Sequence, residues 1–388
     1  MSSTPDRNSI KDGPADPSLA ALRAKIDAVD HDLLGLLAKR NTLVAGIARY
    51  KRDHRVPIRD YAREREILLD RRSHAAPLGL SAELTESLFR LILWGSRDRQ
   101  AALKAEVPLD LESKSIAVIG GRGAMGQCMA RLFTDIGHNV VVADHESDLS
   151  PEDAVAQADV VVISVPIDRT VEVIRKLGPL VREDALLMDV TSIKREPVDA
   201  MLESTQAGVV GTHPLFGPSV HSLQGQRVVM CRGRGDGWFD WLARMFHARG
   251  LATKEATPQQ HDHAMAVVQV LVHFSTEVMG RTLSKLGVDL DETLAFTSPI
   301  YLLELLMTAR HFAQSPELYS AIQMSNPGTD EVTRAFTRAA EEWRSVVESG
   351  DHEAFAEAFE EVRHFFGSFT DRALEQSSYL IDRLVERA

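Results

Sequence analysis

Long apolar runs are missing from this chain. No stretch reaches the ~18 uninterrupted apolar residues that a membrane-spanning helix needs, and the N-terminal MSSTPDRNSIKDGPADPS lacks the apolar centre of a secretory signal. A cytoplasmic protein without membrane contact is expected. Cysteine is scarce as well: Cys128 and Cys231 stand far apart and form no CxxC, which excludes a disulfide scaffold. Each lies in an apolar segment, where it serves as a small hydrophobe. An excess of positive charge is also absent, since 44 Lys+Arg face 56 Asp+Glu for a net charge of -12; this argues against general nucleic-acid binding. The histidines offer no metal site. His261 and His273 would lie ~18 Å apart along a helix, and His261 and His263 point to different faces.

What is present is ordinary globular composition, 44% hydrophobic and 26% charged over 388 residues, enough for roughly two or three domains. Residues 1–16 lack apolar periodicity and read as a disordered tail. Residues 17–100 hold 16 Lys+Arg against 11 Asp+Glu, so a basic module precedes an acidic remainder. From Leu19 the apolar stripe Leu22, Ile26, Val29, Leu33, Leu36, Leu43, Ile47 and Tyr50 predicts one helix of about 34 residues, ~50 Å long. So long a helix in so small a module needs a second copy to pack against. Asp60 and Ser81 can cap a second and a third helix. The region 101–114 reads as a linker.

From Ser115 short apolar runs alternate with helical segments: SIAVIG, NVVVAD, DVVVISVP, ALLMDV, GVVGTH and RVVMC. That alternation predicts a mostly parallel sheet covered by helices over 115–257. Beyond 257 the pattern is helical to 388, and His261 to Met279 is apolar on nearly every side, as in a helix buried between subunits. The first strand runs into Gly121-Arg122-Gly123-Ala124-Met125-Gly126, a GxGxxG turn that opens a helix, so Gly121, Gly123, Met125 and Gly126 should border a dinucleotide pyrophosphate. Asp144 follows about 20 residues on, placed for a ribose 2′-hydroxyl, which favours NAD over NADP. Val165 and Pro166 close the third strand at the same edge.

Charged residues inside apolar stripes mark further sites. Arg40 interrupts the long helix where a hydrophobe is due, and Lys51 lies about 20° away in azimuth and ~16 Å further along. Both fit an anion site or a set of internal salt bridges. Arg23 lies about 100° around the helix from Arg40, and so belongs to another site or to the partner's. Arg310 repeats the anomaly in SPIYLLELLMTARHFA, with a substrate carboxylate or Glu304 as its partner. His213 ends a strand before Pro214, Phe216, Gly217 and Pro218, at the sheet edge where α/β folds bind ligands. It can act there as a base toward a substrate hydroxyl or simply cap the loop.

Two resemblances then cover nearly the whole chain. Through ALRAKIDAVDHDLLGLLAKR, PIRDYARERE and SRDRQ, residues 17–100 resemble the all-helical class of chorismate mutase. Through GGRGAMGQ, VISVPI, DVTSIK, THPLFGP, QQHDHAM and SPIY, the remainder resembles prephenate dehydrogenase, with a Rossmann domain at 115–257 and a helical dimerisation domain at 258–388. Their order is that of the bifunctional T-protein family of tyrosine biosynthesis. The mutase resemblance implies a chorismate site lined by Arg40, Lys51, Arg63, Glu64 and Gln100, with Asp60 and Ser96 beside them and Arg23 entering from the other subunit of a homodimer. The dehydrogenase resemblance implies that His213 meets the prephenate 4-hydroxyl with Ser192 nearby, that Arg310 binds the ring carboxylate, and that Lys194 and His273 complete the pocket. Leu302 and Val272 stand where basic residues are expected, which leaves the side-chain carboxylate without those partners. No segment follows the helical region for a separate regulatory domain, so tyrosine, as an inhibitor, is expected to act at or near the dehydrogenase pocket. An arogenate-preferring dehydrogenase is the nearest rival; a binding protein with dead sites and a β-hydroxyacid dehydrogenase explain less of the chain.

Overall fold

The computed structural model describes residues 18–54, 56–103, 112–144 and 149–385. The expected disordered tail lies outside them, as does most of the expected linker. The chain divides into two compact units, Met1–Leu111 and Glu112–Ala388. Among the described residues no helix is long and apolar enough to cross a membrane.

The first unit is three helices, α1 (Leu19–Asp53), α2 (Tyr61–Ala75) and α3 (Ala82–Ala102). Each begins where a short polar side chain can accept an otherwise orphaned backbone N–H: Ser18 from Ala21, Asp60 from Arg63 and Ser81 from Leu84. α3 runs on to Ala102, past residue 101 where the linker is expected to begin. Val44, Ala48, Ile58, Ala75, Leu93 and Ala101 are the buried apolar residues of this unit. All those on α1 belong to its second half. Along its first half Ile26, Val29 and Leu33 are 59%, 58% and 52% exposed, although fully burying one such side chain contributes about 1.5–3 kcal/mol.

The second unit is built on a seven-stranded sheet of order β2-β1-β3-β4-β5-β6-β7, made of β1 (Ser115–Ile119), β2 (Asn139–Ala143), β3 (Val160–Ile163), β4 (Leu186–Asp189), β5 (Gly208–Pro214), β6 (Arg227–Arg234) and β7 (Ala252–Glu255). The first five are parallel, and β6 runs antiparallel to β5. β7, a polar edge strand of sequence ATKE, escapes the apolar-run criterion and was not expected. α4 (Ala124–Ile136), α5 (Pro151–Gln157), α6 (Ile167–Leu177), α7 (Arg195–Ser204) and α8 (Asp236–Ala248) connect the strands. Cys128 and Cys231 are buried and free, and burial pushes the Cys231 thiol up to about 12, in keeping with a packing role.

Helices follow from Pro258: α9 (Pro258–Met265), a π turn (Ala266–Leu271), α10 (Val272–Leu286), α11 (Leu290–Ala295), α12 (Pro299–Phe312), α13 (Pro316–Ser325), α14 (Thr329–Ser349), α15 (His352–Phe366) and α16 (Phe369–Val385). The helical segment expected within His261 to Met279 carries the π turn between α9 and α10. Val267, Val268 and Val272 are exposed in the single chain.

Candidate functional site

In the first unit the expected anion-binding residues are positioned by α1, α2 and α3. Arg40 on α1 donates to the Ser96 hydroxyl of α3. Burial, then the charge of Arg71, lowers the pKa of its guanidinium. Lys51 donates to the backbone carbonyls of Pro57 (2.8 Å) and Ile58, so the two cations have separate partners. Glu64 is held by Arg97 at 2.6 Å and Arg59 at 3.5 Å, and Arg63 pairs with Glu66 at 2.7 Å. Gln100 is buried; its Nε2 donates to the Ser96 carbonyl at 3.2 Å, and its Oε1 has no partner. Arg23, by contrast, lies on the exposed first half of α1. Arg97 was not foreseen, though SRDRQ contains it.

In the second unit the chain reverses sheet direction between β1 and β3, the crevice where α/β folds bind nucleotides. The turn after β1 is tighter than the GxGxxG reading required. Gly120 has φ +76°, and a Cβ there would stand 2.4 Å from the Ser164 carbonyl oxygen; a Cβ on Gly126 would stand 2.6 Å from that of Gly120. Only glycine lets helix and turn approach so closely. α4 starts at once after Gly123 without a side-chain cap, which leaves its first N–H groups for an anion. Met125 is half-buried in its first turn, half-buried Asp144 directly follows β2, and Val165 and Pro166 join β3 to α6. The residues present therefore fit a dinucleotide.

Two strands from β3 in the same sheet, β5 delivers His213, 3% exposed, into a buried hydrogen-bonded line. Its Nδ1 lies 2.8 Å from His261 Nε2, and His261 Nδ1 lies 2.7 Å from Asp262 Oδ1. Asp262 also accepts the backbone N–H groups of Lys194 and Arg195 at 2.7 and 3.0 Å. Burial alone would raise its pKa, but the bond from His261 and these two outweigh it and hold the carboxyl below its usual range. An ionised Asp262 accepts a hydrogen bond from His261 Nδ1–H, so Nε2 of the neutral His261 accepts from His213 Nδ1–H. His213 Nε2 is left as a lone pair. Burial, then the neighbouring His261 and Lys194, holds the His213 pKa well below its ordinary value, so the imidazole is neutral near pH 7. Nε2 faces the Gln269 amide nitrogen at 3.4 Å, while Gln269 Oε1 is buried without a partner. Gln269 sits in the π turn, a distortion often found at functional sites. His261 had been considered only as a metal ligand, and Asp262 and Gln269 were missed; the adjacent His-Asp pair in QQHDHAM was the available signal.

Other expected residues fall differently. Lys194, expected in the substrate pocket, is fully buried with its ammonium paired to Asp189. The Asp189 carboxylate also receives the backbone N–H groups of Thr191 (3.0 Å) and Thr212 (3.3 Å). A fully buried carboxylate needs such a cation, and Lys194 fills that need instead of lining the pocket. Ser192 is half-buried in the loop after β4. His273, on the first turn of α10, has a buried Nδ1 without a partner and packs against His311 and Tyr319, with ring centroids 5.4 and 4.8 Å away. Arg310 is exposed at the end of α12, and so is Leu306 on the face that was expected to be covered.

Comparison with known proteins bears on both units. Residues 22–101 match the family model of chorismate mutase type II. Residues 133–253 match the nucleotide-binding domain of prephenate dehydrogenase, and 257–361 its dimerization domain. A T-protein of Haemophilus influenzae is 37% identical over 94% of this chain and 97% of its own. A probable arogenate/prephenate dehydrogenase of Methanocaldococcus jannaschii is 35% identical over 70% of this chain and 64% of its own. Among solved structures, the prephenate dehydrogenase of A. aeolicus in complex with hydroxyphenyl propionate and NAD+ shares the fold, with a TM-score of 0.54 and 20% identity over 66% of this chain and 97% of that one.

Proposed function

Because the chain belongs to the T-protein family, we propose that its two reactions are carried by the residue sets described above, one in each unit. The protein is a bifunctional enzyme of tyrosine biosynthesis that rearranges chorismate to prephenate and oxidatively decarboxylates prephenate to 4-hydroxyphenylpyruvate.

In the mutase the substrate is a dianion and the reaction a pericyclic rearrangement, so catalysis rests on positioning and fixed charge. Arg40 and Lys51, with Arg63 beside them, hold the carboxylates, and Lys51 and Gln100 donate to the ether oxygen as charge develops on it. Ser96 and the cap residue Asp60 support Arg40 and the start of α2, and Glu64 lines the site with Arg97 behind it. Arg23 completes the site of a neighbouring chain in a homodimer, where the bare first half of α1 finds its cover.

In the dehydrogenase the glycine turn would hold the NAD pyrophosphate and Asp144 its ribose, and the bound cofactor would supply the acceptor for the hydride of C4. The observation that carries this reading is the line Asp262–His261–His213, which presents a neutral nitrogen at the carboxyl edge of the sheet. His213 Nε2 accepts the proton of the 4-hydroxyl as that carbon becomes a carbonyl. Carbon dioxide leaves the quaternary ring carbon, the pair of the broken bond stays in the ring and makes it aromatic, and the oxygen takes its proton back from His213 to become the phenol hydroxyl. Ser192 lies next to the reacting oxygen, Arg310 binds the ring carboxylate and His273 the far end of the substrate. Tyrosine inhibits by occupying this pocket, and the enzyme works in the cytoplasm.

Replacing His213 by Asn should lower dehydrogenase kcat by about 10²-fold or more, the scale of a lost acid-base partner, with chorismate turnover intact. A raised KM with normal kcat would make His213 a binding residue and overturn the mechanism.

A further inference from the structure

His213 is met on both ring nitrogens by the same run of helix. Its Nδ1 lies 2.8 Å from His261 on α9, and its Nε2 lies 3.4 Å from Gln269 Nε2 in the π turn. In a regular α-helix Gln269 would lie ~80° around the axis from His261. The wider i→i+5 turn over Ala266–Leu271 carries it back to the same face. That turn is held from behind. Asn326 Nδ2 donates to the Asp262 carbonyl at 2.9 Å, Asn326 Oδ1 accepts from the Gly328 N–H at 2.8 Å, and a Cβ on Gly328 would stand 2.7 Å from that of Ala266. The connection between α13 and α14 thus supports the distortion, and the distortion sets Gln269 against the lone pair of His213. Among the described residues Gln269 Oε1 is buried without a partner. Such a group is costly to the fold, and its presence marks a carboxamide placed for something other than packing.

We propose that Gln269 is a second catalytic residue of the dehydrogenase, donating its amide N–H to the substrate's 4-oxygen while His213 takes the proton of that oxygen. The inference rests on the dehydrogenase reading above. With the two nitrogens 3.4 Å apart, one oxygen can stand within ~3 Å of both. The arriving hydroxyl replaces the amide as donor to His213 and accepts the amide N–H in turn, which directs its proton onto Nε2. As hydride leaves C4 for NAD and that proton passes to His213, the C4–O bond becomes a carbonyl. The bond to the departing carbon dioxide then leaves its pair in the ring, and negative charge reaches the same oxygen until His213 returns the proton. A fixed N–H aimed at the atom where charge develops stabilises that stage more than the ground state.

The test is steady-state oxidation of prephenate by the full-length protein with NAD, followed across pH. Gln269→Leu removes both polar atoms of the carboxamide; kcat should fall about 10²-fold, the scale of one lost oxyanion donor, while KM, NADH binding and chorismate turnover stay close to wild type. A kcat close to wild type, or a raised KM with normal kcat, would overturn the inference. Gln269→Glu separates contact with the reacting groups from a packing role, and it decides the matter should the leucine variant lose NADH binding. A carboxylate against Nε2 favours the imidazolium, so the acidic limb of the kcat/KM profile should move up by about one pH unit or more. The titratable groups that bear on His213, which are His261 and Lys194, are the same in both proteins. An unmoved limb would take Gln269 away from His213 Nε2 and overturn the inference. Failure of the wild type to oxidise prephenate would overturn the dehydrogenase reading and the inference with it.

Discussion

At the scale of single residues, two buried groups separate chemistry from architecture. His213 stays neutral near pH 7 in the folded unit without substrate, since burial and its neighbours hold its pKa well below the ordinary value. In the unfolded chain it titrates near 6.5. Stability owed to the neutral imidazole is therefore fully present above that pH and is lost as pH falls below it, by up to about 1.4 kcal/mol per pH unit. Thermal melts from pH 7.5 to 5.5 should show the wild type losing more stability than His213→Asn, and parallel losses would contradict this. Lys194 makes the complementary case. Its ammonium lies wholly buried against Asp189, and removing one partner of a buried pair costs about 3–5 kcal/mol. Denaturant titration of Lys194→Ala should show a loss of that order in the second unit. Undiminished stability with a raised prephenate KM would instead return Lys194 to the pocket. Sequence could name this lysine but not the direction of its ammonium, because that is decided by Asp189 on β4, which no periodicity connects to it.

At the scale of elements, what proved legible was what repeats or caps locally. The stripe of α1, the caps at Asp60 and Ser81, the glycine turn and six strands all announce themselves in residue type and spacing. The π turn left no trace, because a segment apolar on nearly every side has no phase in which an extra residue would show. The line from Asp262 to His213 was hidden for a related reason: its members come from α9 and β5, and only tertiary packing joins them. α1 carries the prediction that belongs to this scale. Its second half buries Val44 and Ala48 while its first half, with Arg23, stays bare in one chain. Mixing an inactive Arg23→Ala protein with an inactive Lys51→Ala protein should restore mutase activity as subunits exchange, toward about a quarter of wild type for a symmetric dimer. The same mixture without recovery, exchange having been demonstrated, would mean that each site is built from one chain.

At the scale of the whole molecule, the two compact units keep separate chemistries on one polypeptide. On the proposed reading the first works by fixed cations, and the second needs the glycine turn and the imidazole of His213. Prephenate is the product of one and the substrate of the other, so the account requires that NAD govern the second step and leave the first alone. The most direct measurement is a single reaction started with chorismate, with and without NAD, in which chorismate loss and NADH appearance are followed together. Chorismate should disappear at the same initial rate in both, prephenate should accumulate without NAD, and with NAD the reduced cofactor should appear after a lag while 4-hydroxyphenylpyruvate forms. Chorismate loss that depends on NAD, or NADH that never appears while prephenate accumulates, would contradict the account.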